Sequence, residues 1–169
     1  MIRLRECCSE IGQPIPTGSY FLDLMMYPDI DLYLPFTSPG ALLSVAAKLA
    51  AHDCVKKVDS AKGGPAELAD GLYLKLYIEH GTWERPWKID IWSLPPHIID
   101  RKQAELVDLR DRMTCEQRHL ILHFKYSVLT DAGPTPMFSG IHIYRAVVDL
   151  GLTDSEEINN YLRENGIEV

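Results

Sequence analysis

Apolar and polar residues alternate along two stretches of the chain, and over much of the remainder apolar residues recur at intervals of three and four. Alternation is the period of a strand with one buried face, and three-and-four spacing that of a helix with one apolar stripe. In Pro28-Asp-Ile-Asp-Leu-Tyr-Leu34, the residues Ile30, Leu32 and Leu34 fall on one face and Asp29, Asp31 and Tyr33 on the other. In the run from Trp87 to Leu94, Ile89 and Ile91 point one way and Lys88, Asp90 and Trp92 the other. That run and residues 72 to 79, both rich in aromatic and β-branched side chains, flank Gly81 to Pro86 and predict an antiparallel hairpin.

Residues 2 to 12 predict a short helix ending at Gly12, after which Pro14 and Pro16 leave room for no more than a short edge strand or turn. Ser38-Pro39 supplies an N-cap and a first-turn proline for a helix carrying Leu42, Leu43, Ala46, Leu49 and Ala50. Val55 to Ser60 predicts another strand, and Lys62-Gly-Gly-Pro65 a loop. Beyond Pro95-Pro96 the character changes: residues 98 to 113, 115 to 130, 140 to 150 and 154 to 164 all carry helical spacing. Capping boxes are predicted at Thr114-x-x-Gln117 and Thr153-x-x-Glu156. The expected fold class is α+β. A small mixed or antiparallel sheet with flanking helices (residues 1–95) is followed by a helical region packed on it (residues 96–169).

Composition narrows the function classes. The 169 residues, 46% hydrophobic, suffice for a sizeable core without staples. Seventeen basic against 24 acidic residues give a net charge of −7, which disfavours a long nucleic acid as partner but leaves room for a local anion site fed by metal ions. Cys7 and Cys8 are adjacent while Cys54 and Cys115 stand alone, without metal spacing, and read as reduced thiols. No apolar leader and no run of about 18 apolar residues is present, so the expectation is a cytoplasmic protein without a membrane partner.

The chemistry lies on the polar faces of the two alternating strands. If those strands are neighbours, Asp29, Asp31 and Asp90 converge, and close carboxylates repel unless a cation relieves them. Oxygen-only ligands favour Mg²⁺ or Mn²⁺, and a pair of such ions about 3.5–4 Å apart is a common device for phosphoryl transfer. An Asp-x-Asp pair alone is more often just a solvated strand face; it is the addition of Gly18-Ser19 and Asp90 that shifts the balance. Ahead of it lies Gly18-Ser19, where a glycine and a following helix start offer backbone amides to a phosphate. Lys125 could reach a triphosphate if its helix lines the cleft, and Lys88 could instead neutralise the carboxylates. Trp83, Trp87 and Trp92 surround the hairpin and suit sheet packing better than base stacking. His119 and His123, four apart on a predicted helix, lack an acidic third ligand and suit a surface or packing role.

Taken in order, Gly18-Ser19, Asp29-Ile-Asp31-Leu32 and Asp90 within Ile-Asp-Ile resemble the nucleotidyltransferase superfamily related to DNA polymerase beta. The likeness is greatest to small bacterial nucleotidyltransferase-like proteins, a group that includes the aminoglycoside and lincosamide nucleotidyltransferases. The resemblance implies a Mg²⁺-dependent transfer of a nucleoside monophosphate from an NTP, ATP by preference, to a hydroxyl or phosphate acceptor, and the net charge of −7 turns the expectation toward a small-molecule or protein acceptor. It places two metal ions on Asp29 and Asp31, with Asp90 completing the site and activating the acceptor. Gly18 and Ser19 would hold the phosphates; Lys125 is a further phosphate-binding candidate on its helix position, not on the resemblance. The alternative is a non-catalytic nucleotide-binding or antitoxin-like regulatory protein on the same fold, and a homodimer is compatible with either.

Overall fold

The computed structural model describes residues 3–64, 68–82, 86–128 and 140–167. Its strands are β1 (Ile15–Thr17), β2 (Asp29–Pro35), β3 (Val55–Lys62), β4 (Leu72–Ile78) and β5 (Trp87–Leu94). Its helices are α1 (Leu4–Cys7), α2 (Gly18–Phe21), α3 (Pro39–Ala50), α4 (Pro96–Arg112), α5 (Cys115–Ser127), α6 (Ile141–Val148) and α7 (Ser155–Glu164). The strands form one mixed sheet in the order β1-β2-β5-β4-β3, in which β2 and β5 run parallel and every other pair antiparallel. This is the expected α+β arrangement. The β4–β5 pair is the predicted hairpin partnership; residues 83 to 85 of its connection, Trp83 among them, lie outside the described residues.

Strand alternation decides which way the sheet faces. Leu32, Leu34, Leu74, Leu76, Ile89 and Ile91 turn to one side and bury there against Leu42, Val45, Ala46 and Leu49 of α3. Each such side chain contributes roughly 1.5–3 kcal/mol of burial, so a register slip that turned these residues outward would be strongly disfavoured. β1 sits at the sheet edge, the position its Pro16 demands, since proline cannot donate to a ladder. A second apolar cluster joins Leu106 and Leu109 of α4, Ile121 and Phe124 of α5, Ile143 and Val147 of α6 and Ile158 and Leu162 of α7. It also takes in Leu22 and Leu24 from the connection between α2 and β2.

Helix ends follow local chemistry with two differences from expectation. The Ser38 hydroxyl accepts the Ala41 N–H, and Thr114 with Gln117 forms the reciprocal capping box. α7, however, is capped by Asp154, whose carboxylate accepts the N–H groups of Glu156 and Glu157. Asp is as good a cap as Thr, and here the one nearer the helix takes the place of Thr153. The N-terminal helix is also shorter than the predicted span, Leu4–Cys7, followed by turns to Ile11. The predicted end of α5 at residue 130 and the loop proline Pro65 lie outside the described residues. No helix among the described residues is long and apolar enough to cross a membrane.

Candidate functional site

The parallel pairing of β2 with β5 sets Asp31 beside Asp90 and Asp29 beside Lys88. Side chains in register on one face of adjacent strands are near neighbours, so alternation on each strand is converted into a cluster across two. One carboxylate oxygen from each of Asp29, Asp31 and Asp90 lies within 4.8 Å of the others, and no other group of three His, Cys, Asp or Glu residues meets that condition among the described residues.

The cluster carries its own partial counter-charge. Lys88 Nζ lies 2.9 Å from Asp29 Oδ2 and 3.5 Å from Asp90 Oδ2, and Lys75 Nζ, opposite Asp90 in the β4 register, lies 3.7 Å from Asp90 Oδ1. The Tyr73 hydroxyl donates to the same Asp90 Oδ1 at 2.6 Å, and its ring stacks obliquely on Trp92, centroids 4.6 Å apart. Asp31 has Asp90 as its cross-strand neighbour and forms no ion pair among the described residues.

This asymmetry shows in proton affinity. Burial, then the Asp29 and Asp90 charges, push the Asp31 carboxyl up to about 7. Burial raises Asp29 as well, opposed by Lys88. Burial pulls Lys88 down, but Asp29, Asp90 and Asp31 together carry it above the usual lysine range. Burial and the bond to Asp90 hold the Tyr73 phenol protonated far above its ordinary range, so it acts as a fixed donor.

Two observations test whether a hard cation suits the cluster. Asp29 Oδ1 is buried with no hydrogen-bond partner, and the donor set consists of carboxylate oxygens only. Both fit a divalent ion of the Mg²⁺ or Mn²⁺ type, since an orphaned buried carboxylate oxygen is costly and such an ion supplies what it lacks.

Gly18 opens α2 with φ of +58°, and a Cβ there would stand 2.4 Å from Asp31 Oδ2. The position therefore admits only glycine without displacement, and it sets the backbone at the start of α2 directly against the carboxylate cluster. Ser19 follows as a half-buried residue whose carbonyl accepts the Leu24 N–H. The connection to β2 is then gripped from α5. Arg118 donates to the Leu22 and Asp23 carbonyls at 2.8 Å each, and the buried Lys125 donates to the Leu24 carbonyl, with the Tyr144 hydroxyl at 3.4 Å. Burial lowers Lys125 to about 8, opposed by the Asp29 and Asp31 charges.

The structure thus brings together Asp29, Asp31, Asp90 and Gly18, with Lys125 close enough to feel two of the carboxylates. His119 and His123 are exposed on α5 and belong to no such cluster, and the four cysteines are free. Tyr73 and Lys75 are site residues that the sequence reading missed. The alternation that selected Asp90 would have found them, because Tyr73, Lys75 and Tyr77 share the polar face of β4.

A pH prediction follows. Asp31 has a folded value of about 7 against 3.8 unfolded, so its protonated form is favoured by folding. The stability it contributes is complete below the unfolded value and is lost as pH rises through the folded one. In chelator, the melting-temperature advantage of Asp31→Asn, which cannot ionise, over the wild type should be smaller at pH 5 than at pH 8. Saturating Mn²⁺ should erase the advantage. A difference that does not change with pH would contradict this electrostatic picture.

No family model matches the chain, and no curated protein matches it. Among solved structures it superposes on a cytoplasmic RNA terminal U-transferase with a TM-score of 0.57 and 16% identity, over 85% of this chain and 44% of that one. The chain therefore spans less than half the length of that neighbour, and the likeness shows a nucleotidyltransferase fold alone.

Proposed function

We propose that this protein is a Mg²⁺-dependent nucleotidyltransferase that moves a nucleoside monophosphate from an NTP, ATP by preference, to a hydroxyl or phosphate acceptor. The observation that carries this reading is the convergence of Asp29, Asp31 and Asp90 within 4.8 Å on the face of a nucleotidyltransferase-fold sheet, with Gly18 packed against Asp31.

Asp29 and Asp31 would hold the metal, with Asp90 as third ligand. Bound there, a divalent ion pair would supply charge stabilisation to the entering and leaving oxygens. The chain's own groups do the remainder. Backbone N–H groups at Gly18 and Ser19 and the start of α2 bind phosphate oxygens, with Lys125 as the neighbouring cation. The Asp90 carboxylate takes the acceptor proton as the acceptor oxygen bonds to the α-phosphorus. The bond between the α-phosphorus and the bridging oxygen breaks, and pyrophosphate leaves with the electron pair. Tyr73, donating to Asp90 Oδ1, holds that carboxylate in one orientation.

The proposed acceptor is a small molecule or a protein, on the argument that a net charge of −7 does not suit an extended polyanion. The solved neighbour is named for RNA, and at 16% identity it lends only its fold. The test is pyrophosphate release from each of the four NTPs with Mg²⁺, supplied with pooled small-molecule, protein and short RNA acceptors. Mg²⁺-dependent release, greatest with ATP and dependent on a non-RNA acceptor, is expected. Absence of both release and Mg²⁺-dependent nucleotide binding would overturn the reading.

A further inference from the structure

The position of Lys88 supports a role of its own, which rests on the nucleotidyltransferase reading above. One ammonium spans two of the three candidate ligands, 2.9 Å from Asp29 Oδ2 and 3.5 Å from Asp90 Oδ2, and its side chain is only 23% exposed. The register explains the reach: Lys88 stands directly opposite Asp29 and two residues before Asp90, on the same face of the sheet. The remaining oxygen of Asp90 receives the Tyr73 hydroxyl at 2.6 Å. Lysine thus occupies one oxygen on each of two carboxylates that would hold a divalent ion, and Asp29 Oδ1 is left without a partner. The ammonium and a divalent ion are competing counter-charges for the same pair of carboxylates.

We propose that Lys88 is a tethered counter-ion that holds the empty carboxylate cluster together and competes with the divalent ion for it. Metal binding then displaces the ammonium, and the freed positive charge is left beside the site where an NTP brings its phosphates. Nucleotide and metal therefore bind with positive coupling that passes through Lys88. A lysine that served only to stabilise the fold would show no such competition.

The test uses the full chain and Mn²⁺ alone, titrated calorimetrically into wild type, Lys88→Met, Lys88→Arg and, as a ligand-deficient control, Asp31→Asn. Lys88→Met should bind Mn²⁺ at least about tenfold more tightly than wild type, because a competing unit charge within contact distance is gone. Adding non-hydrolysable ATP should tighten Mn²⁺ binding to wild type by a larger factor than binding to Lys88→Met. Because Lys88→Met leaves the carboxylates uncompensated and could unfold, Lys88→Arg supplies an independent arm. Its fork keeps the charge and can take both oxygens, so Mn²⁺ binding should weaken by about threefold or more. Equal or weaker binding by folded Lys88→Met, or tighter binding by Lys88→Arg, would overturn the proposal and leave the catalytic reading standing. No Mn²⁺ binding by any variant, with or without nucleotide, would overturn both.

Discussion

Asp31→Asn should lower nucleotidyl transfer by at least about a thousandfold, equivalent to about 4 kcal/mol of barrier, while leaving the protein folded. The two halves of this expectation have separate causes. Asp31 lies against Gly18, stands opposite Asp90, and contributes one of the three carboxylates that, among the described residues, could share an ion. An amide cannot replace the anionic oxygen that a hard cation requires. Folding, in contrast, gains nothing from the charge: Asp31 has no ion pair among the described residues, and burial and its acidic neighbours drive it toward the protonated form. Activity should collapse while the metal-free melting temperature at neutral pH holds or rises. Initial rates of pyrophosphate release, measured beside thermal melts in chelator, check both halves. A variant retaining more than a tenth of wild-type turnover would remove Asp31 from the proposed machinery.

The second large effect is expected from Gly18→Ala. Its φ of +58° already costs an L-residue about 1–2 kcal/mol, and the added methyl would be placed 2.4 Å from Asp31 Oδ2. Either the start of α2 or the carboxylate must move, and both belong to the proposed site. Turnover should fall by about a hundredfold or more, because a displacement on the order of 1 Å in a positioning element is enough for that loss. Gly151→Ala separates backbone strain from displacement of the site: Gly151 has φ of +67° but nothing within 4 Å of the position of its absent Cβ. That variant should lose comparable stability in urea unfolding and keep its turnover. Equal activity in the two alanine variants would show that Gly18 matters only to the backbone.

These predictions draw on features of different legibility. The aspartates were readable because alternation in β2 and β5 leaves each strand with one face free of ionisable groups, and carboxylates on the other are conspicuous. The short edge strand was readable from Pro16 and the start of α3 from Ser38-Pro39, because both are local constraints on φ and on donor groups. The cap of α7 was misplaced by one residue, since Thr153 and Asp154 both carry a side-chain oxygen able to cap and the backbone path selects Asp154.

Local pattern therefore determined, from the sequence alone, which faces are apolar, which carry acid, where most helices begin, and that Gly18-Ser19 precedes the acidic strand. Register and distance were left to the tertiary structure. Asp31 meets Asp90, Lys88 meets Asp29 and Lys75 meets Asp90 because burial of the opposite face locks three strands at one alignment. Lys125 reaches the Leu24 carbonyl across 101 residues because the second apolar cluster seats α5 against the connection between α2 and β2. A strand's period shows which way each side chain points, but not which strand lies beside it. That choice comes from burying two sets of apolar faces at once, a property of the whole chain.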